Sequence, residues 1–356
     1  MTIAPIAKQI NIPYLLKIGA GKIGRIGKYL FDKEMKKIAV FLGKNTLNLI
    51  EPHFSNAISE YRITILKQKT VESIELEAIA HAAFSLPSEI DAIVGVGGGK
   101  TLDAAKYAAF LLQKPCICAP TILSNDGFCS SGSSLLVEGK RKSVKSKMPF
   151  GVVIDLDIIK GSPASFLYSG AGDMVSKITA LFDWKEAFNR GYERFNDFAS
   201  MLAYNSLDLL FLKHSFDIYA PEFQRSLASS LTISGIAMEV AGSSRPASGS
   251  EHLISHALDS ICAKPKLHGV QAAIASYLCA LLQNNPNAPL LNETLEKIGF
   301  WEFAARDPIA KEEFIAALKS APSIKSDYYT ILSESDSYER ALALIETDKT
   351  LKRAIV

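Results

Sequence analysis

The sequence predicts an α/β half with a mostly parallel sheet, followed by an all-helical half. Two patterns carry this expectation. Up to Asp155, short apolar runs alternate with stretches of helical apolar spacing, whereas beyond Ser162 only the helical periodicity continues. Length supplies the third observation, because 356 residues exceed what one hydrophobic core usually organises. We therefore expect two domains, residues 1–161 as α/β and residues 162–356 as all-helical, divided at Gly161-Ser162-Pro163.

The elements follow in order. Residues 38–42 form an apolar run closed by Gly43, the pattern of a buried parallel strand, and residues 63–66 read alike. Residues 71–84 place Ile74, Leu76, Ile79, Ala82 and Ala83 at helical spacing. Residues 91–96 are a strand feeding Gly97-Gly98-Gly99, residues 101–113 an apolar helix, and residues 115–119 the next strand. This β-α-β-α-β alternation favours a parallel sheet with helices on its faces. A last strand covers residues 152–155, and helical periodicity then spans 172–189, 195–212, 221–241, 251–261 and 267–282.

Composition narrows the function classes. A hydrophobic content of 48%, 21% charged residues and a net charge of +2 argue against disorder and against a dedicated nucleic-acid surface. Five cysteines, few and odd in number, fit a reducing compartment better than a disulfide framework. Cys116 and Cys118 alternate onto one strand face and read as buried structural thiols. Residues 1–11 lack the apolar segment of a secretory signal, and no apolar run approaches the ~20 residues that span a bilayer. The expectation is a soluble, cytoplasmic protein.

Several motifs point to chemistry. Gly97-Gly98-Gly99-Lys100, between a strand and a helix running through Asp103, has the layout of a phosphate cradle at a helix N-terminus. It matches neither the P-loop spacing nor the strict G-x-G-x-x-G fingerprint. At the end of the earlier strand, Gly43-Lys44 offers no carboxylate for a ribose diol and leaves room for a 2′-phosphate that Lys44 could pair, although a solvated turn lysine fits as well. The hydroxyl-rich stretch 120–134, with Thr121, Ser124 and Ser130, follows a strand and suits ligand hydrogen bonding. Asp126 within it could anchor a substrate hydroxyl or simply form a turn. The basic run 139–147 reads as a hairpin turn with a solvated tip, Lys145 being best placed to face a phosphate.

Three of the six histidines fall within residues 252–268. His252 and His256, four residues apart, share a helical face, and His268 follows. Asp173, expected in the first turn of the first helix of the second half, supplies a carboxylate. One carboxylate and two imidazoles, His252 and His268, would give a three-ligand catalytic metal site with an open position.

These motifs occur in order over about half the chain, and Gly-Ser-Ser-Arg-Pro-Ala-Ser-Gly-Ser-Glu-His over residues 242–252 is their most specific part. In them the chain resembles the sn-glycerol-1-phosphate dehydrogenase family. That family is part of the superfamily of glycerol dehydrogenases, iron-type alcohol dehydrogenases and dehydroquinate synthases. The resemblance implies a dehydroquinate synthase-like architecture with a Rossmann-like sheet, and a divalent metal on Asp173, His252 and His268. Zinc is the metal to expect, with nickel or iron as alternatives. It further implies that NAD or NADP lies on Gly97, Gly98, Gly99, Lys100 and Asp103 with Thr121, Ser124 and Ser130, and that Asp126 and His256 line the substrate pocket. Phe128 and Cys129 are bulkier than this pattern leads one to expect.

The implied reaction is hydride transfer that interconverts dihydroxyacetone phosphate and sn-glycerol 1-phosphate, with the metal polarising the carbonyl and His256 relaying a proton. Arg245 or its neighbouring serines could bind the phosphate, or Arg245 could form a loop-stabilising ion pair. A homo-oligomer acting on a small phosphorylated triose is expected, without nucleic-acid or membrane partners. The alternatives are a glycerol or other polyol dehydrogenase, a cyclising enzyme that uses its nicotinamide transiently, and a catalytically silent metal- or nucleotide-binding protein.

Overall fold

The computed structural model describes residues 9–211 and 215–356. The start of the segment read for a signal, residues 1–8, and Leu212 of the helix read over 195–212 lie outside the described residues.

Up to the last strand, sheet and helix alternate. The strands are β1 (Leu15–Gly19), β2 (Lys37–Leu42), β3 (Thr64–Thr70), β4 (Ala92–Gly97), β5 (Cys116–Pro120), β6 (Gly132–Val137), β7 (Lys140–Lys145) and β8 (Gly151–Asp155). Between and after them run α1 (Ile26–Phe31), α2 (Thr46–Ile50), α3 (His53–Glu60), α4 (Leu76–Phe84), α5 (Gly99–Leu111) and α6 (Leu156–Lys160). Six strands form one parallel sheet in the order β1-β8-β5-β4-β2-β3. Both faces are covered. Ile38, Val40, Val94, Val96 and Ile117 pack on one side with Ile26, Leu30 and Phe54, while Ala39, Phe41, Ile93, Cys116, Cys118 and Val152 join the larger core. That double burial is why these strands read as continuous apolar runs. Cys116 and Cys118 share the latter face with sulfurs 3.9 Å apart, as alternation required.

Two parts of the sheet region differ from expectation. Strand β1 is a half-exposed edge strand of mixed character, so no apolar run announced it. The basic run is not a hairpin tip. Lys140, Arg141, Lys142 and Lys145 occupy β7 itself, antiparallel to β6, and the turn is Glu138-Gly139, both at positive φ. Solvent on β7 removes the apolar alternation that would have marked a strand.

From Ala164 onward the described residues form helices: α7 (Ala164–Val175), α8 (Lys177–Asn189), α9 (Asp197–Phe211), α10 (Pro221–Ala241), α11 (Ser250–Ile261) and α12 (His268–Leu282). Then come α13 (Ala288–Lys297), α14 (Phe300–Ala305), α15 (Lys311–Ser320), α16 (Ser337–Thr347) and α17 (Leu351–Ala354). The helical stretch read from residue 172 starts earlier, at Ala164 after Pro163, and is interrupted at Ser176, whose hydroxyl donates to Asp173 O at 2.7 Å. Asp173 therefore lies in the last turn of α7, not in the first turn of the first helix.

Helices α7 and α12 meet backbone to backbone. A Cβ on Gly269 would overlap the Ser169 carbonyl, and one on Gly172 would overlap the Gly269 carbonyl and stand 2.9 Å from Ala273 Cβ. Because both obstacles are backbone of packed helices, Gly269→Ala should cost about 1–3 kcal/mol or more in urea unfolding. Gly99→Ala, where a Cβ meets nothing within 4 Å, should not destabilise the fold.

Candidate active site

Strands β2, β4 and β5 end side by side, so the turns after them share the carboxyl edge where parallel sheets bind ligands. Gly97 ends β4 at φ +153°, a conformation that favours glycine, and a Cβ there would press on Thr101 at 2.9 Å and on Gly43 N at 3.1 Å. No side chain caps the 13-residue helix α5 at Gly98, and Gly99 opens onto free space. The cradle thus presents uncapped helix N–H groups at an open surface, the arrangement that receives a nucleotide phosphate. Thr121 is tied to it through its N–H to Gly97 O at 3.0 Å, and Ser124 follows on the same turn. Lys100 is exposed beside the cradle, and Lys44 is exposed at the tip after β2.

Asp103 and Ser130 have other engagements. Fully buried Lys106, two turns into α5, pairs with Asp103 Oδ1 at 3.2 Å and donates to Gly127 O at 2.6 Å, Ser130 O at 3.3 Å and Gly132 O. Ser130 Oγ also donates to Gly127 O at 3.1 Å. Both predicted cofactor ligands therefore help to fasten the 126–132 turn to α5. Phe128 and Cys129 are buried in the core, so their bulk points away from any substrate.

The other side of the site comes from α7, α11 and α12. Asp173, His252 and His268 bring their ligand atoms within 4.8 Å of one another. His252 Nε2 stands 3.5 Å from Asp173 Oδ1, while its Nδ1 meets Glu251 Oε1 at 2.7 Å. His268 Nδ1 meets Ser255 Oγ at 2.9 Å. Each ring thus has Nδ1 occupied by a fixed partner, which leaves Nε2 for an ion. Three buried carboxylates gather here: Lys177 stands between Asp126 and Asp173, and Glu251 meets His252, so carboxylates outnumber lysines at the centre and a cation would be balanced there. The donor set fits a divalent metal. His256, Asp259 and His268 form a second group with ligand atoms within 4.8 Å, but Asp259 is engaged by the Gln271 amide.

Asp126 joins this centre through three contacts. Its N–H donates to Asp173 Oδ2 at 3.0 Å, Ser234 Oγ donates to its Oδ2 at 2.7 Å, and Lys177 Nζ stands 3.2 Å from that same oxygen. Lys177 is also 3.2 Å from Asp173 Oδ1. Gly235 lets α10 lie against the Cys129 carbonyl, which carries Ser234 to Asp126.

Electrostatics follow from this crowding. Burial opposes ionisation of Asp173, but Lys177 and His252 outweigh it and hold the carboxyl below the usual range. Burial and then the Asp173 charge push Asp126 up. Burial likewise works against protonated His252, yet Asp173 and Glu251 raise it. Burial and the charges of His252 and His256 hold His268 low, and the N-terminus of α12 favours the same neutral form. His256, stacked on His268 with centroids 5.4 Å apart, is pulled down to about 3 by burial and then by His252.

Arg245 resolves toward the ion-pair alternative. It is buried, paired with Glu193, and donates from Nη1 to Tyr329 O at 2.7 Å. Lys145 is exposed on β7. Lys177, Glu251 and Ser255 were not singled out from sequence. The available signals were Lys177 four residues after Asp173 and Glu251 adjacent to His252.

Comparison with known proteins supplies the class first. Residues 17–163 match the family model described as iron-containing alcohol dehydrogenase. The glycerol dehydrogenase structure from Schizosaccharomyces pombe superposes with a TM-score of 0.78 at 21% identity, covering 97% of this chain and 91% of that one. The butanol dehydrogenase A structure from Thermotoga maritima gives 0.69 at 16%, covering 98% of each chain. The fold is therefore the one shared by the iron-type alcohol dehydrogenases, whose family model the N-terminal part matches. Glycerol-1-phosphate dehydrogenase [NAD(P)+] of Methanosarcina barkeri is 34% identical over 330 residues, 92% of each chain. The Thermococcus sibiricus protein of the same name is 35% identical, covering 88% of this chain and 89% of its own. The chain belongs to the glycerol-1-phosphate dehydrogenase family.

Lys177 gives a pH-dependent test. Because Asp173 is held low in the folded state, its ionised form contributes stability above the unfolded carboxyl pKa, and that contribution is lost as pH falls through the folded value. Lys177→Met should cost about 3–5 kcal/mol near neutral pH in chelator-treated protein. The gap from wild type should narrow at about pH 4 and below, measured by urea unfolding at each pH.

Proposed function

We propose that this enzyme catalyses the reversible reduction of dihydroxyacetone phosphate to sn-glycerol 1-phosphate with NADH or NADPH, using a divalent cation held by Asp173, His252 and His268. The observation that carries this reading is the convergence of those three side chains, with both imidazoles fixed at Nδ1, beside the turn that bears Asp126. One carboxylate and two imidazoles with an open position suit zinc best, with nickel or iron as alternatives. When bound, the ion supplies Lewis acidity at the substrate's reacting oxygen.

The protein's own groups do the remaining work. The N-terminus of α5 at Gly97, Gly98, Gly99 and Lys100 receives the cofactor pyrophosphate, and the hydroxyls of Thr121 and Ser124 line the same edge. Without a carboxylate at Gly43-Lys44, nothing repels a 2′-phosphate, so both cofactors are accommodated. Lys177 fixes the directions of Asp126 and Asp173, while Ser234 occupies Asp126 Oδ2, leaving Oδ1 for a substrate hydroxyl. In the oxidising direction neutral His256 accepts the proton of the substrate hydroxyl at its free ring nitrogen as hydride leaves C2 for nicotinamide C4, and in the reducing direction the imidazolium returns that proton to the oxygen. Five free cysteines, four of them buried, suit a reducing cytoplasm. No helix among the described residues is long and apolar enough to cross a membrane.

Nicotinamide absorbance assays on metal-analysed protein test the reaction with NADH and NADPH in turn. Glycerol 1-phosphate should be oxidised and dihydroxyacetone phosphate reduced with both cofactors, and a strong preference for glycerol would overturn the assignment. His268→Ala should lose both bound metal, by elemental analysis, and activity. Glu251→Gln should retain the fold but bind zinc roughly 10- to 100-fold more weakly in a chelator competition.

A further inference from the structure

At the rim of the histidine cluster stands a cation that no described carboxylate pairs. Lys325 follows the 3-10 turn Ala321–Ser323 and is half-buried. Its Nζ donates to Ser244 Oγ at 3.2 Å and rests 4.3 Å from the centroid of the Tyr328 ring. That ring is fixed from two directions. Its hydroxyl donates to Ser248 O, and the Arg245 guanidinium lies 3.5 Å from its centroid. Arg245 is in turn committed to Glu193 and Tyr329 O, so its charge is structural while that of Lys325 is not.

Lys325 stands beside the site because the turn before it packs on α11, the helix that carries His252 and His256, and because its partner Ser244 lies in the loop that leads into that helix. Lys325 acts on His256, whose ring stacks on His268, and Glu251, the partner of His252 Nδ1, acts on it in return. Burial and the nearby Arg245 charge disfavour the ammonium form, an effect that an anion beside Lys325 would offset. Arg141 of β7, with Nε on Ser134 Oγ at 2.8 Å, also acts on His256 and on Asp259. An ammonium with two unspent N–H donors, beside a hydroxyl that already accepts from it and can donate onward, is a receptor for a compact anion.

We propose that Lys325, with the Ser244 hydroxyl beside it, receives the phosphate group of the substrate and thereby selects a phosphorylated triose over a free one. The inference rests on the reaction proposed above and deepens it by assigning the group that reads the phosphate. Arg245, whose side chain the sequence offered for that contact, instead supports the ring on which Lys325 rests.

The test uses the full-length, metal-loaded enzyme with saturating NADPH. Lys325→Met keeps much of the aliphatic stem and should raise KM for dihydroxyacetone phosphate roughly 10- to 100-fold, with KM for NADPH unchanged. Inorganic phosphate should compete with dihydroxyacetone phosphate in the wild type, and Lys325→Met should weaken that inhibition by a similar factor. Lys325→Arg should recover most of both effects. If Lys325→Met does not fold, Ser244→Ala and Lys325→Arg carry the test, the first being expected to raise KM several-fold. Unchanged KM and unchanged phosphate inhibition, or a fall in kcat alone, would overturn the assignment. A wild type that reduces dihydroxyacetone as well as its phosphate would instead refute the underlying reaction. A wild type that prefers the phosphate, with a Lys325→Met enzyme that keeps the preference, would refute only the role of Lys325.

Discussion

Helices α7 and α12 cross with glycine set against backbone carbonyl, and the geometry of the site depends on that contact. Gly172 and Gly269 each face a backbone carbonyl that a methyl group would strike. Asp173 follows Gly172 directly, and His268 precedes Gly269. The close approach of two glycines therefore fixes the separation of a carboxylate and an imidazole that lie far apart in the chain. The cores of both helices are well packed, so strain at this crossing could not be relieved locally.

Once the backbones are that close, charge has to be managed in a small volume. Lys177 holds two carboxylates apart while satisfying both, and Glu251 and Ser255 each take one ring nitrogen of a histidine. Glu251 itself is anchored by Thr179 Oγ1 at 2.7 Å and by the Gly249 N–H at 2.7 Å. The site is thus preorganised by side chains that need never touch substrate. Most of them sit on helices rather than loops, which limits how far the donors can drift.

Legibility in the sequence followed apolar runs, which burial mostly produces, although the largely exposed β3 was also announced by residues 63–66. Strands β2, β4, β5 and β8 were readable because both faces are covered, which leaves unbroken apolar runs. Strands β1 and β7 were not, since an edge and a solvated hairpin arm carry mixed or charged residues. The break at Ser176 was invisible for another reason. It comes from one hydroxyl donating to Asp173 O, not from glycine or proline. Among site residues, the glycine cradle was local and could be read as a strand–turn–helix. Asp173, His252 and His268 could be named as a candidate set from their chemistry, but spacing did not select them uniquely, because three separate helices deliver them. Lys177 and Glu251 look like ordinary surface charges in sequence, and only their complete burial distinguishes them.

Lys106 has a consequence for how the two reactants are held. Its single amine joins α5 to the carbonyls of Gly127, Ser130 and Gly132, so the helix that begins at the cradle and the turn that carries Asp126 behave as one body. On the reaction proposed above, hydride donor and hydride acceptor are gripped from the same rigid jig, and their relative height is machined into the sheet side of the enzyme before either arrives.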